Sequence, residues 1–206
     1  MGKYHKYVFD VEQRKYIGAF EEMYQNESKE NFDSWHQDDT SQIHRQLSLA
    51  LLNAYQFNSI IDLGCGKGTF THLLKKQNNN VTGVDISTTA INIASEKFPN
   101  ITFKTLDSSI IKTLDRFLNE CDKKEKTDLI FCAEMFSYLE NWKDVIKCIS
   151  KRTQYFYTTL FIPENPIGFV KSSKEFIECI DEYFNIIEVA QLKKSRFNLV
   201  LAKRKS

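Results

Sequence analysis

From residue 58 onward, short runs of β-branched and aromatic residues alternate with longer stretches whose apolar positions recur at helical spacing. That alternation is the pattern of βαβ units on a mostly parallel sheet. The runs predict strands at 59–63, 80–85, 101–105, 128–132 and 154–162, with two more at 185–190 and 197–202. A short Lys/Ser/Arg link separates the last two, as in an antiparallel hairpin. Helices are predicted in the gaps, at roughly 69–77, 88–98, 109–120, 138–151 and 173–183. The expected fold class is α/β: a doubly wound, seven-stranded, mostly parallel sheet with a terminal antiparallel hairpin.

Before residue 58 the periodicity predicts two helices, around 9–25 and 40–56, joined by the polar and aromatic stretch 26–39. Residues 1–57 are expected to form a helical lid, and residues 58–206 the core it covers. A chain of 206 residues fits one domain and leaves no room for a separate substrate domain. One site must therefore hold every reactant.

Composition narrows the class of partner. With 42% hydrophobic residues the chain can bury a full core. Lys plus Arg number 28 against 27 for Asp plus Glu, a net charge of +1, which argues against a nucleic-acid substrate. Cys65, Cys121, Cys132, Cys148 and Cys179 form no C-x-x-C pair and are not matched by His at metal-ligand spacing, so they are expected to be reduced and no metal site is expected. The N-terminus leads into no apolar signal region, and no run is long enough to span a bilayer. A cytoplasmic protein without membrane contact is expected, as a monomer or homodimer. Gly2 lacks the Ser or Thr that a myristoylation signal requires.

The chemistry concentrates at strand ends. Asp62-Leu63-Gly64-Cys65-Gly66-Lys67-Gly68 follows a buried strand and opens a helix; glycine at 64, 66 and 68 lets the backbone turn sharply and admits a ligand without a Cβ in the way. The dinucleotide fingerprint would need Gly or Ala at 69, where Thr69 stands. Asp85 ends the next strand, 21 residues after Gly64, where a carboxylate can accept from both ribose hydroxyls; the alternative is a helix cap, which Ser87 could supply instead.

On Asp62 to Gly68 the sequence resembles the class I S-adenosylmethionine (SAM)-dependent methyltransferases, whose first motif reads acidic-x-G-x-G-x-G and often has Cys at the position of Cys65. The resemblance implies a Rossmann-like methyltransferase fold with SAM as cofactor, bound by Asp62, Gly64, Cys65, Gly66, Gly68, Asp85 and Ile86. It also implies an adenine contact from Asp107 and Ser108, for which helix capping is the rival reading. The loop after the fourth core strand, Ala133 to Trp142, would pass under the sulfonium. That makes Ala133 a cofactor neighbour, and Glu134 and Tyr138 candidate catalytic groups. Adenine and amide N-methyltransferases carry an Asn/Asp-Pro-Pro-aromatic motif here, which Ala133-Glu134-Met135-Phe136 does not resemble.

The stretch 1–57 resembles the lids of bacterial methyltransferases acting on sugars, capsule components and small metabolites. In such lids an aromatic residue often covers the methionine part of SAM. Tyr24 and Trp35 are the choices here, each with ordinary helix packing as its alternative. A hydroxyl acceptor would benefit from a base. Of the four histidines, His36 lies among polar lid residues and is ranked first, ahead of Glu134; His5, His44 and His72 are expected to fill surface or packing roles. The expected function is methyl transfer from SAM to an O or N atom of a small polar metabolite, with a sugar or nucleotide-linked sugar included. The alternatives are a catalytically silent SAM-fold partner subunit, an RNA or protein methyltransferase, and an NAD-dependent enzyme.

Overall fold

The computed structural model describes residues 5–30 and 32–205. Gly2 and the side chain of His5 lie outside the described residues. The N-terminal segment corrects the first predicted helix. In place of one helix over 9–25 there are α1 (His5–Val8), a small hairpin of β1 (Phe9–Asp10) and β2 (Lys15–Tyr16), and then α2 (Phe20–Glu30). The physical reason is local. The Asp10 carboxylate accepts the Gln13 N–H at 2.8 Å, which turns the chain, and Arg14 and Gly18 take φ values of 52° and 72° that no helix contains. A 3-10 turn at Ser34–His36 then leads to α3 (Ile43–Asn53), shorter than the expected 40–56.

The βαβ alternation follows as read. It runs β3 (Ser59–Leu63), α4 (Thr69–Leu74), β4 (Asn80–Asp85), α5 (Thr88–Lys97), β5 (Thr102–Thr105), α6 (Ile111–Lys124) and β6 (Leu129–Ala133). A 3-10 turn at Phe136–Tyr138 precedes α7 (Trp142–Ser150), β7 (Tyr155–Phe161), α8 (Ser173–Tyr183), β8 (Phe184–Leu192) and β9 (Phe197–Arg204). α4 stops three residues early because the Asn79 amide donates to the Leu74 carbonyl at 2.9 Å while its oxygen accepts the Lys76 N–H at 2.7 Å.

The seven strands form one sheet in the order β5-β4-β3-β6-β7-β9-β8, parallel except for β9, which runs antiparallel to both β7 and β8. Both faces are covered, so β3, β6 and β7 are buried almost continuously, and successive side chains point alternately into two cores. Ile61, Ile130 and Phe156 face a core shared with α6, α7 and α8, while Ile60, Leu129, Phe131 and Tyr157 face a second core that includes Leu52 of α3 and Leu74 of α4. Burying each such side chain stabilises the fold by about 1.5–3 kcal/mol. Sequence order reverses between β3 and β6, and their carboxyl ends release the glycine loop and the Glu134 loop into the same crevice, the position where open α/β sheets bind ligands.

Candidate active site

The crevice is a cavity of about 600 Å³ at the carboxyl ends of β3, β4 and β6. Its floor is the glycine loop. Gly64 has φ 78°, and a Cβ there would lie 3.2 Å from Met135 of the Glu134 loop, so only glycine lets the two loops meet. The Gly64 and Cys65 N–H groups both donate to the Val84 carbonyl, at 2.8 and 3.0 Å, which pins the turn to β4.

Asp85 sits where that turn meets the cavity. Its carboxylate accepts the Gly66 N–H and the Ser87 N–H, each at 2.9 Å, and burial raises its pKa from the ordinary aspartate value against these donors. The helix cap is supplied instead by Ser87, whose hydroxyl accepts the Ala90 N–H at 3.1 Å. A carboxylate has about four lone-pair sites, so the backbone N–H groups do not exhaust its capacity to accept from a ligand's hydroxyl group. Asp62 lies deeper. Burial pushes its carboxyl up to about 7, against the opposing hydrogen bond from Thr71 at 2.6 Å.

Ile86, Asp107, Ser108 and Ala133 also line the cavity, and Ile86 is 47% exposed, an apolar face open to a flat ring. Asp107 accepts the N–H and the hydroxyl of Ser109, at 2.9 and 2.6 Å, and does not cap α6. Gly66 and Gly68 shape the loop from behind and are not on the cavity wall.

At the end of β6, Glu134 is held in the left-handed region at φ 61°, a strained backbone for a side chain of its size. Its carboxylate accepts the Thr159 hydroxyl at 2.8 Å and the Phe161 N–H at 2.9 Å. Burial drives the carboxyl up to about 7, although these two donors pull the other way. Tyr138 also lines the cavity, where its hydroxyl accepts the Trp35 indole N–H at 3.0 Å.

The roof is aromatic. Trp35 packs 6.1 Å from Tyr24 and 6.0 Å from both Phe20 and Tyr138, ring centre to ring centre. Three polar ties fasten this roof to the core. Gln37 accepts the Lys67 N–H and donates to the Tyr24 hydroxyl, both at 2.8 Å. The Lys67 ammonium lies 2.7 Å from Asp33 and 3.2 Å from Glu27; burial works against its charge, and the two acids raise its pKa nonetheless. Glu21 accepts the Ser87 hydroxyl at 2.7 Å and the Thr89 hydroxyl at 2.5 Å.

The structure thus brings Tyr24, Trp35, Glu134 and Tyr138 to the cavity and leaves His36 off its wall, exposed to solvent, with φ 50°. The sequence reading missed Gln37, Lys67 and His44. Lys67 lies inside the glycine motif, but nothing in the linear pattern pairs it with acids some thirty to forty positions earlier. His44 packs, as expected, on Phe197, and also lines the cavity. Among the described residues no group of three His, Cys, Asp or Glu is placed to hold a metal ion, and no helix is long and apolar enough to cross a membrane.

Comparison with known proteins agrees with this geometry. Residues 61–154 match the family model for a methyltransferase domain. The chain is 27% identical over 107 residues to a ubiquinone biosynthesis O-methyltransferase of Pasteurella multocida (strain Pm70), a stretch covering 47% of this chain and 42% of that protein. The chain thus spans under half the length of that curated relative. Among solved structures, the N-methyltransferase NodS from Bradyrhizobium japonicum WM9, in complex with S-adenosyl-l-homocysteine, superposes with a TM-score of 0.67 at 19% identity over 89% of this chain and 98% of that one. The magnesium protoporphyrin IX methyltransferase from Synechocystis PCC 6803 with bound SAM gives 0.60 at 19% identity over 82% and 80%. Both likenesses are of fold.

Proposed function

The chain carries a class I SAM-dependent methyltransferase domain, and on that premise we propose that it transfers a methyl group from SAM to a hydroxyl of a small polar acceptor, with Glu134 as the base. The observation that carries this reading is the Glu134 carboxyl, fixed on the cavity wall by Thr159 and Phe161 beside the glycine loop and poised near neutrality.

The residues fit the cofactor. The glycine loop presents Gly64 and Cys65 to the cavity, Asp85 keeps acceptor capacity for the ribose, and Ile86 with Asp107 and Ser108 offers one apolar and two polar surfaces to adenine. Tyr24 and Trp35 place aromatic rings over the other end, where a sulfonium is attracted to ring faces. Bound SAM would supply an electrophilic methyl group for the acceptor oxygen and would keep the carbon–sulfur electron pair on its sulfur. The chain supplies the rest. The roof excludes water, the cavity aligns the acceptor, and Glu134 takes the hydroxyl proton onto its carboxylate as the oxygen–carbon bond forms. A neutral amine acceptor needs the same alignment without the base.

The name of the curated relative, an O-methyltransferase, supports oxygen as the methylated atom. Residues 1–57 act as the lid of the 58–206 core. The five cysteines are all unpaired, which suits a reducing, cytoplasmic compartment. Calorimetry tests the premise: SAM and its demethylated product should bind at micromolar level, and NAD should not. Tighter binding of NAD would overturn the reading.

A further inference from the structure

His44 occupies the second position of α3, on the side that packs against β9. It is 6% exposed and lines the cavity. Its ring lies flat on Phe197, with centres 3.7 Å apart and planes 7° from parallel. That contact uses a ring face and leaves both nitrogens at the edge.

The polar groups around it are already satisfied. Ser48, one turn along α3, donates its hydroxyl to the His44 carbonyl at 2.7 Å and accepts the Tyr157 hydroxyl at 2.8 Å. The Arg45 guanidinium is spread over the carbonyls of Trp35, His36 and Asp39. Among the described residues no hydrogen bond to the His44 imidazole is found, and its ring nitrogens are not among the fully enclosed unpartnered atoms, as expected of a ring edge that meets the cavity.

Its position ties it to Glu134. Phe197, on which His44 lies, pairs with Phe161 across the β7–β9 ladder, and the Phe161 N–H is the one that Glu134 accepts. Arg45 acts on both groups: its charge adds to burial in pushing the His44 pKa down to about 4, and it partly offsets burial at Glu134. Asp39 is the opposing charge at His44. The imidazole is therefore neutral near pH 7, with one nitrogen that donates and one that accepts. Phe70 and Phe131, stacked 4.8 Å apart, add flat apolar wall to the same cavity.

We propose that His44 is an acceptor-recognition residue, which hydrogen-bonds a second polar substituent of a hydroxyl-bearing ring whose reacting hydroxyl faces Glu134. The substrate class is then a ring with at least two hydrogen-bonding groups, aromatic or saturated. This inference rests on the methyl-transfer reading of the cavity.

The probes are phenol, resorcinol and methyl α-D-glucopyranoside, assayed for methylation with SAM in the parent, His44→Phe and His44→Gln. Resorcinol should exceed phenol in kcat/KM in the parent if the ring is aromatic, and the glucoside should lead if it is saturated. His44→Phe should erase that preference, lowering kcat/KM for the two-group probe about tenfold or more, mainly through KM, and His44→Gln should restore part of it. SAM affinity should be unchanged in both variants, which establishes that they fold. In parallel, protein labelled with 15N in its histidine rings and saturated with S-adenosylhomocysteine should show the His44 signals, identified by their loss in His44→Gln, shifting on addition of the preferred probe. An unaltered preference in His44→Phe, or no response of the His44 signals to any probe, overturns the proposal. Failure of the parent to bind SAM or S-adenosylhomocysteine overturns the underlying methyl-transfer reading instead.

Discussion

Thr159 on β7 donates its hydroxyl to Glu134 Oε1 at 2.8 Å, so the strand beside β6 orients the carboxyl that ends β6. With that carboxyl held up at about 7, its base form fills as pH rises through neutrality. Methyl transfer to a hydroxyl should rise over the same interval and level off above it. Glu134→Gln should lower the single-turnover rate by roughly 10²-fold and remove the step, because a general base commonly contributes on the order of 10²–10⁴. Rates of the two proteins across pH 5–9 decide it. A Gln variant with the parent's profile would assign the carboxyl a purely structural role.

Asp85 accepts two backbone N–H groups and does not cap α5. Asp85→Ala should weaken SAM binding by about 2 kcal/mol, roughly thirtyfold, through loss of a charged acceptor for the ribose. Titration calorimetry measures this directly. Unchanged affinity in a folded variant would leave Asp85 as a support of the glycine loop alone.

Lys67→Met removes the cation that Asp33 and Glu27 share. Breaking a buried ion pair by deleting one partner costs about 3–5 kcal/mol, and the partial exposure of Asp33 places this case at the lower end. The expected outcome is a lower melting temperature together with faster proteolytic cleavage between α2 and α3. A variant that melts and resists protease like the parent would show that the roof does not depend on this cluster.

His36 is exposed and off the cavity wall. His36→Asn should leave the rate and its pH profile within a factor of about two, the ordinary range for a surface substitution. A loss approaching 10²-fold would mean that the 3-10 turn brings His36 inward during turnover.

The core was legible because its signals are local. The bounds of β3 and β4 coincide with their β-branched runs, and the glycines and Asp85 mark strand ends that any βαβ unit would place in the crevice. The N-terminal helix was misread because Phe9, Tyr16, Phe20 and Met23, spaced as on one helix face, reach a single core from three separate elements, β1, β2 and α2. The second aspect of His44 was hidden for a related reason. On α3 it stands where a packing residue would, and only the docking of α3 on β9 makes part of that packing surface a cavity wall. Gln37 and Lys67 gain their meaning from contacts between residues 33–37 and the glycine loop, which no spacing encodes.

Gln37, Asp33 and Arg45 belong to one stretch of chain that grips the glycine loop at one side and leads into the helix bearing His44 at the other. On the proposed reading, in which the cofactor lies at the glycine loop and the acceptor at His44, this stretch links the two ligands energetically. Whatever factor the cofactor adds to acceptor affinity by ordering this stretch, the acceptor must return to the cofactor. On that reading the expected kinetics are of compulsory order, with SAM first on and its demethylated product last off.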